Sequence, residues 1–260
     1  MSVLSEWDII NELGRGLFIY PFRGMNKSIK GCCLCLTASR YAYTFDVDAQ
    51  TGKQKENRLE IKINPGNQDH FFILIPKRKT AVIWTQESVR LENYLCGSIH
   101  STVTLVSKGI GHLGTRVNPS YGGVMAIALH NLSDEDIKID VGKNDEDGGE
   151  IIAYLRIHRL SSKSSVTQSE DEPGKIGDMP AQPEEVKKWL REKWRTGNKS
   201  AIARVLESSP DFKEAKTELA NKSIRYRLFF KYLPQWDTSI WVQIIIAGVT
   251  AIGVIVAIMK

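Results

Sequence analysis

The side chains that could do chemistry are spread along the sequence and form no metal-binding or nucleophile motif. Cys32 and Cys35 form a C-x-x-C, but residues three apart in a strand face opposite sides of a sheet. A zinc pattern of H-x-E followed by P-C-x-x-C is missing. Four of the five histidines are scattered over residues 100–158, and each is more simply explained as a structural or exposed strand residue: His100, His112, His130 and His158. We therefore predict no metal site.

Two short polar stretches in the second half of the chain are rich in carboxylates. Asp134 and Asp136 lie in a turn from Asn131 to Asp136, and they are the candidate general acids or bases if the chain is an enzyme. The acidic loop from Asn144 to Asp147 could hold a cation. A solvated turn is the simpler interpretation of that loop.

A turn followed by an alternating segment lies between Gly114 and Asn131. Pro119, Gly122 and Gly123 are turn residues, and the apolar run after them fits a partly buried strand. We predict a β-hairpin that leads into a core strand. The stretch from Glu150 to Leu160 predicts a further strand near the end of the same domain.

The elements that position these residues are mainly strands. Ser5 is a predicted cap for an amino-terminal helix whose apolar face is Trp7, Ile10 and Leu13, with Asp8 completing a capping box. Apolar segments then predict strands over Leu17–Phe22, Ile29–Thr44, Leu59–Ile63, Phe71–Ile75 and Ala81–Thr85, with a polar turn region over Asp46–Asn57. Strands at this spacing indicate an all-β barrel or sandwich with one amino-terminal helix.

Composition bounds the class of protein and its compartment. The net charge of +5 over 260 residues is too small to indicate nucleic acid as a partner. Glu6 and Asp8 stand where a secretory signal would have a basic region. The four cysteines are interpreted as reduced, buried and cytosolic: Cys32, Cys33, Cys35 and Cys96.

The carboxy-terminal hundred residues change in character twice. Residues 161–183 have the composition of a flexible linker, and residues 184–233 have apolar residues at helical spacing. Residues 240–259 carry no charged side chain, and a run of about 20 apolar residues spans a bilayer as a helix. Basic residues precede this run, so the positive-inside rule predicts a single-pass carboxy-terminal anchor with the amino-terminal domain in the cytoplasm.

Several strings in residues 1–160 resemble the dCTP deaminase and trimeric dUTPase superfamily. "LSEWDIINELGRGLFIYPF" is similar to the deaminase start "LSDxDIxxxLxxGxLxIxPF", and "FFILIPKRKTAVIWTQESVRLENYLCGSIHSTVTL" follows the deaminase order. The resemblance implies a dUTPase-like β-barrel or β-clip domain. It also implies a homotrimer that binds a deoxynucleotide between subunits.

The positions at which this superfamily places its catalytic groups are altered. The turn aspartate is matched by Asn118 and the strand glutamate by Ala128, and neither side chain can transfer a proton at neutral pH. The phosphate-binding "RSS" is matched near Thr102-Val103-Thr104, and the last-strand glutamine by Tyr154. By resemblance, the nucleotide-binding positions are Thr102, Thr104, Ser107, Asn118, Tyr121 and Tyr154. No cofactor is predicted, with Mg²⁺ expected only alongside a bound nucleoside triphosphate.

Three functions fit these features. The leading hypothesis is a membrane-anchored, catalytically inactive member that binds a nucleotide as a sensor or scaffold, with an antiviral effector as one version. The second is an active, divergent dCTP deaminase or dUTP pyrophosphatase that uses another carboxylate such as Asp134 or Asp136. The third is a structural role in which the trimer clusters three anchors.

Overall fold

A computed structural model describes residues 1–47, 54–112, 114–143, 147–165 and 207–226. The strands are β1 (Ser2–Val3), β2 (Leu17–Tyr20), β3 (Ile29–Lys30), β4 (Cys33–Val47), β5 (Gln54–Arg58), β6 (Lys62–Asn64), β7 (Asn67–Ile75), β8 (Thr80–Leu91), β9 (Leu95–Ser101), β10 (Ile110–Gly111), β11 (Arg116–Val117), β12 (Gly122–Asn131), β13 (Ile137–Val141) and β14 (Ile151–Arg159). The helices are α1 (Glu6–Glu12), α2 (Met25–Ser28), α3 (Val103–Ser107) and α4 (Pro210–Tyr226). The predicted mainly β fold with an amino-terminal helix is confirmed.

The chain divides into two compact units, Met1–Lys216 and Thr217–Lys260. The predicted membrane span, residues 240–259, lies outside the described residues, as do residues 166–206, which include most of the predicted linker. None of the helices within the described ranges has both the length and the apolar character that a membrane crossing requires.

Strand β4 connects the two halves of one large antiparallel sheet, whose main order is β10-β12-β8-β4-β14-β9-β11. The first part of β4 pairs with β14, and from Ala38 onward β4 pairs with β8. The register shifts in both ladders, and such bulges bend a strand and increase its twist. The sheet therefore curls at β4, while β13, β7 and β6 form a separate small sheet.

Strands β9 and β14 place alternate residues in the core. On β14, Ala153, Leu155 and Ile157 are buried, whereas Tyr154, Arg156 and His158 are half-buried. The same alternation on β9 buries Leu95, Gly97 and Ile99. Because successive strand residues face opposite sides, the sheet has one apolar face toward the core and one polar face away from it.

Helix α1 begins at the predicted cap. The Asp8 backbone N–H donates to Ser5 Oγ at 3.3 Å, and the Ser5 backbone N–H donates to Asp8 Oδ2 at 3.2 Å. This reciprocal pair is a capping box, as predicted. Ile10 and Leu13 of the predicted apolar face are buried, and Trp7 is half-buried.

The predicted hairpin between Gly114 and Asn131 is wrong. Strand β11 pairs with β9, and β12 pairs with β8 and β10, so the two strands that flank the turn do not pair with each other. The turn itself is present, since the Tyr121 N–H donates to the Asn118 carbonyl at 3.3 Å. Turn residues mark a change of direction, but they do not determine which strand the chain joins next.

Several strand boundaries also differ from the prediction, and the strand predicted over Ala81–Thr85 continues to Leu91 as β8. Ile29–Thr44 is two strands, because Gly31 at a φ of 60° lies in the turn between β3 and β4. The polar turn predicted over Asp46–Asn57 is shorter, since Asp46 pairs with Lys55 in the ladder of β4 and β5. The strand predicted over Leu59–Ile63 starts later, as β6.

Candidate functional site

Thr102, Thr104 and Ser107 lie at helix α3. The Thr102 Oγ1 accepts a hydrogen bond from the Leu105 backbone N–H at 3.2 Å, so the hydroxyl caps the helix, and the residue is only 3% exposed. Thr104 and Ser107 are exposed, and Ser107 Oγ donates to the Thr104 carbonyl at 2.9 Å. Of these three residues, Thr102 therefore has a structural role as the amino-terminal cap of α3.

Asn118 and Tyr121 are held in the turn before β12. Asn118 is exposed, and its side-chain amide has no proton-transfer chemistry at neutral pH. The Tyr121 hydroxyl donates to the Val124 carbonyl at 2.7 Å, and burial raises the pKa of this phenol. Tyr121 therefore stabilises the turn as a neutral hydrogen-bond donor.

Ala128 lies directly opposite Val82 in the ladder of β12 and β8. Its other neighbours on the same face are Ala126, which is opposite Trp84, and His130, which is opposite Thr80. His130 Nδ1 and Thr80 Oγ1 lie 2.8 Å apart and form a hydrogen bond. Within this described part of the sheet, no cross-strand or same-strand neighbour of Ala128 is a carboxylate.

Tyr154 lies on the polar face of β14, opposite Cys35 on one side and His100 on the other. The Lys30 ammonium lies 5.9 Å from the centre of its ring, which is within cation–π range. Asn118 follows β11 at the far side of this face. Asn118 and Tyr154 are separated by two interstrand spacings across the sheet and by four residues along the strands. Their Cα atoms are therefore roughly 16 Å apart.

Within one chain the predicted positions do not converge on one cleft. Tyr154 lies beside the end of β9 from which Thr102 and Thr104 continue, whereas Ala128 lies on the β12–β8 part of the sheet. In the described ladders these positions therefore lie on separate parts of the sheet.

The alternative carboxylates, Asp134 and Asp136, lie in the turn after β12. Asp134 is paired with Arg78, with Oδ1 2.7 Å from Nη2, and its side chain is 84% exposed. Asp136 Oδ1 accepts from the Lys77 backbone N–H at 2.9 Å. Solvent exposure and local pairing leave neither carboxylate in the desolvated, reactive setting of a general base.

The sequence analysis missed a cluster of histidines on the polar face of β9 and β14. Ser98 Oγ lies 2.8 Å from His100 Nε2 and 3.0 Å from His158 Nε2, so one hydroxyl connects both imidazoles. Burial and the nearby Arg156 guanidinium lower the pKa of both rings. The alternation of Cys96, Ser98 and His100, and that of Tyr154, Arg156 and His158, indicates one polar face on each strand, but the register that brings the two faces together is given only by the structure.

An open cleft of about 720 Å³ lies between the β7–β13 sheet and the chain before β14. Two of its carboxylates already have lysines as partners: Asp140 Oδ1 lies 3.3 Å from Lys138 Nζ, and Glu150 Oε1 lies 2.8 Å from Lys108 Nζ. Asp147 also lines the cleft, whereas residues 144–146 of the acidic loop lie outside the described residues. These pairs neutralise the cleft, so no reactive carboxylate is identified there.

Comparison with known proteins gives only distant structural likenesses. No protein-family model matches the sequence, and no curated protein matches it. Among solved structures, the chain is similar to the dCTP deaminase from Agrobacterium tumefaciens at 12% identity, with a TM-score of 0.44. That match covers 60% of this chain and 47% of the deaminase chain, which is less than half of its length.

Two dUTPase structures are similar over a shorter part of the chain. The EIAV dUTPase is 20% identical, and the match covers 43% of this chain and 92% of the dUTPase at a TM-score of 0.29. The dUTPase of Staphylococcus bacteriophage 80alpha is 17% identical, and the match covers 44% and 90% at a TM-score of 0.29. At these identities and TM-scores, no family assignment follows.

Proposed function

We propose that the chain is a catalytically inactive relative of the dCTP deaminases and trimeric dUTPases that binds a nucleotide as a sensor or scaffold. The proposal starts from the sequence strings shared with that superfamily. The observation that carries it is the setting of Ala128, whose described neighbours in the sheet are Val82, Ala126 and His130, none of them a carboxylate. Without a carboxylate beside the reacting water, proton transfer loses a factor of about 10²–10⁴.

The rival proposal is an active, divergent deaminase or pyrophosphatase. Asp134 and Asp136 would have to supply its proton transfer, but both are bound to neighbouring groups of an exposed turn. The binding of both carboxylates within an exposed turn favours the hypothesis that the protein is inactive. Incubation of the full chain with dCTP and dUTP, followed by product analysis, tests the choice directly.

A nucleotide would bind at Tyr154 and Asn118 of one subunit together with Ala128 or α3 of another. This arrangement follows from the separation of those positions within a single chain. We propose a homotrimer for that reason, and Mg²⁺ would accompany a triphosphate ligand. Light scattering that gives a monomer at micromolar concentration would contradict the trimer. Nucleotide binding that survives Tyr154→Ala unchanged would contradict the site.

A membrane anchor over residues 240–259 completes the proposal, with the β-rich unit in the cytoplasm. Its support is the uncharged carboxy-terminal run and the basic residues before it. In this arrangement a trimer brings three anchors together, so ligand binding or assembly in the cytoplasm would change their spacing in the bilayer. A purely structural role differs only in having no ligand, which a binding assay distinguishes.

A further inference from the structure

Three cations and two uncharged residues form a straight row across the polar face of the sheet. Lys30 pairs with Cys33, Cys33 with Arg156, Arg156 with Ser98, and Ser98 with Arg116. Directly paired residues of antiparallel strands point to the same face. We call Lys30, Cys33, Arg156, Ser98 and Arg116 the cationic row.

The cations occupy every second strand of the cationic row. With strands about 4.8 Å apart, the Cα atoms of Lys30 and Arg116 each lie roughly 10 Å from that of Arg156. Lys30 and Arg116 are exposed, and both have long side chains. The Lys30 ammonium lies 5.9 Å from the centre of the Tyr154 ring, on the same face of the sheet. Arg156 is half-buried, and its Nε is buried without a hydrogen-bond partner among the described residues.

No acidic side chain balances these charges in the described part of the face. The residues two positions along the strands from the cationic row are Cys35, Tyr154, His158, Cys96 and His100. No carboxylate of the described residues lies within ion-pair distance of Lys30, Arg116 or Arg156. Like charges without a counter-charge repel one another, so this face gains stability when an anion binds.

We infer that the cationic row is a binding site for a soluble, multiply charged phosphate compound. Arg156 is the central ligand, because a guanidinium donates two parallel hydrogen bonds to a phosphate. Lys30 and Arg116 contribute from the two sides. The cationic row borders Tyr154, a proposed nucleotide-binding position, but it requires neither nucleobase recognition nor a second subunit. A probe without a nucleobase therefore tests it apart from nucleotide binding.

A metal ion is a poorer occupant of the same face. The field of Arg156 acts against a cation beside His100 and His158, and it also lowers the pKa of both imidazoles. In the residues that the structure describes, no three His, Cys, Asp or Glu side chains gather at a spacing suited to a metal. The same field that repels a metal attracts phosphate oxygens.

The histidines give the site a pH dependence of known sign. His100 and His158 face each other across Ser98. The titratable side chains around them include Tyr154 and Arg156 on β14, Cys33 on β4, Cys96 on β9, and His112 near His100. An anion held by Arg156 favours the charged imidazoles. Ser98 Oγ can accept from both protonated rings through its two lone pairs. Binding therefore takes up protons, and affinity rises as the pH falls through the lowered histidine pKa values.

Calorimetric titration of the full chain in nonionic detergent, at low salt and with tripolyphosphate as the probe, tests the site. We expect Arg156→Gln to weaken binding about tenfold or more, as for the loss of a charged hydrogen bond. Lys30→Gln and Arg116→Gln should each weaken it several-fold, and because both residues are exposed these variants keep the fold. Arg78→Gln is the matched control, since Arg78 is paired with Asp134 outside the cationic row, and it should bind as the unmodified chain does.

Two further readouts make the result decisive. Titrations in buffers with different heats of ionisation should show proton uptake as the pH falls through the lowered histidine pKa values, and this uptake should decrease in His158→Gln. Soluble short-chain phosphatidylglycerol, titrated in parallel, should bind more weakly than tripolyphosphate. The inference is overturned if tripolyphosphate does not bind at millimolar concentration, if Arg78→Gln weakens binding as much as Lys30→Gln and Arg116→Gln do, or if the lipid binds more tightly.

Discussion

Glu87 and Arg23 form an ion pair that is almost entirely buried, with side-chain exposures of 1% and 12%. Glu87 Oε2 also accepts from the Thr37 backbone N–H at 2.7 Å, and Oε1 accepts from Thr37 Oγ1 at 2.7 Å. The carboxylate thus connects β8, β4 and the segment before α2. Its hydrogen bonds are satisfied inside the fold, so Glu87 has the setting of a structural carboxylate.

Removal of one partner of this pair should destabilise the fold strongly. Arg23→Ala leaves a buried carboxylate without its cation, and such a loss costs about 3–5 kcal/mol. Arg78→Ala breaks an ion pair whose side chains are 62% and 84% exposed, and an exposed pair contributes about 0–1 kcal/mol. Urea unfolding of the two variants measures the difference. Equal midpoints would contradict the structural role of Glu87.

The pH dependence of stability should report on Lys216. Lys216 Nζ donates to the carbonyls of Ile10, at 2.6 Å, and Asn11, at 3.2 Å, next to the end of α1. Burial and the nearby Arg15 lower the pKa of this lysine to about 8, against an opposing effect of Glu12. Between this pKa and the unfolded value of about 10.4, the unfolded chain holds more protons, so stability from this group rises with pH.

Lys216→Met should remove that rise while it keeps the apolar contacts of the side chain. The comparison is the urea midpoint of each protein between pH 7 and pH 10. We expect the unmodified chain to gain stability relative to Lys216→Met above about pH 8. Parallel curves for the two proteins would show that Lys216 titrates normally and is not held at the end of α1.

Gly16 leaves room for a contact between Tyr94 and Glu12. A Cβ at this position would lie 2.0 Å from the Tyr94 hydroxyl and 2.7 Å from Glu12 Oε2. Gly16→Ala should therefore break the 2.8 Å hydrogen bond from Tyr94 to Glu12 and cost about 1–3 kcal/mol through overpacking. It should also lower the pKa of Tyr94, which burial and Glu12 raise to about 12.

Gly66→Ala is the control for that substitution. Its Cβ would meet only Asn64 Oδ1, at 3.7 Å, which is an ordinary contact. We expect its unfolding midpoint and its ultraviolet tyrosine titration to match those of the unmodified chain. A Gly16→Ala protein with unchanged stability and an unchanged Tyr94 titration would show that the side chains have more room than the structure gives them.

The local features of this fold were predictable from sequence because neighbouring residues determine them. Ser5 and Asp8 predicted a capping box, which forms through hydrogen bonds between these two residues. The alternation of apolar residues likewise predicted the buried side of β12, including Ile127 and Leu129. Each of these features depends on hydrogen bonds or periodicity within a few residues.

The long-range pairing was not predictable in the same way. Arg116 and Gly122 flank one turn, yet they pair with Ser98 and Arg90 on different strands. His100 and His158 are far apart in sequence and meet only because β9 and β14 align in one register. A register set by core packing over the whole sheet is not contained in any single segment, so the histidine cluster and the cationic row became visible only in the structure.

The membrane anchor has a direct biochemical test. A chain that ends at residue 234 lacks the proposed span, and it should move from the membrane pellet to the soluble fraction after cell lysis and ultracentrifugation. Burial of about 20 apolar residues in lipid makes anchoring of the full chain resistant to salt. If the truncated chain still pellets and resists a salt wash, residues 240–259 are not the anchor.

The most direct test of whether the protein is catalytically inactive is an assay of product formation from dCTP and dUTP with Mg²⁺. Chromatography then measures dUTP, dUMP and pyrophosphate. The full chain, Asp134→Asn, Asp136→Asn and Tyr154→Ala are assayed after identical purification, so that a contaminating enzyme appears equally in all four. The hypothesis that the protein is catalytically inactive predicts no product above the uncatalysed background in any of them. Turnover by the unmodified chain that disappears in Asp134→Asn or Asp136→Asn would contradict it and identify an active, divergent enzyme.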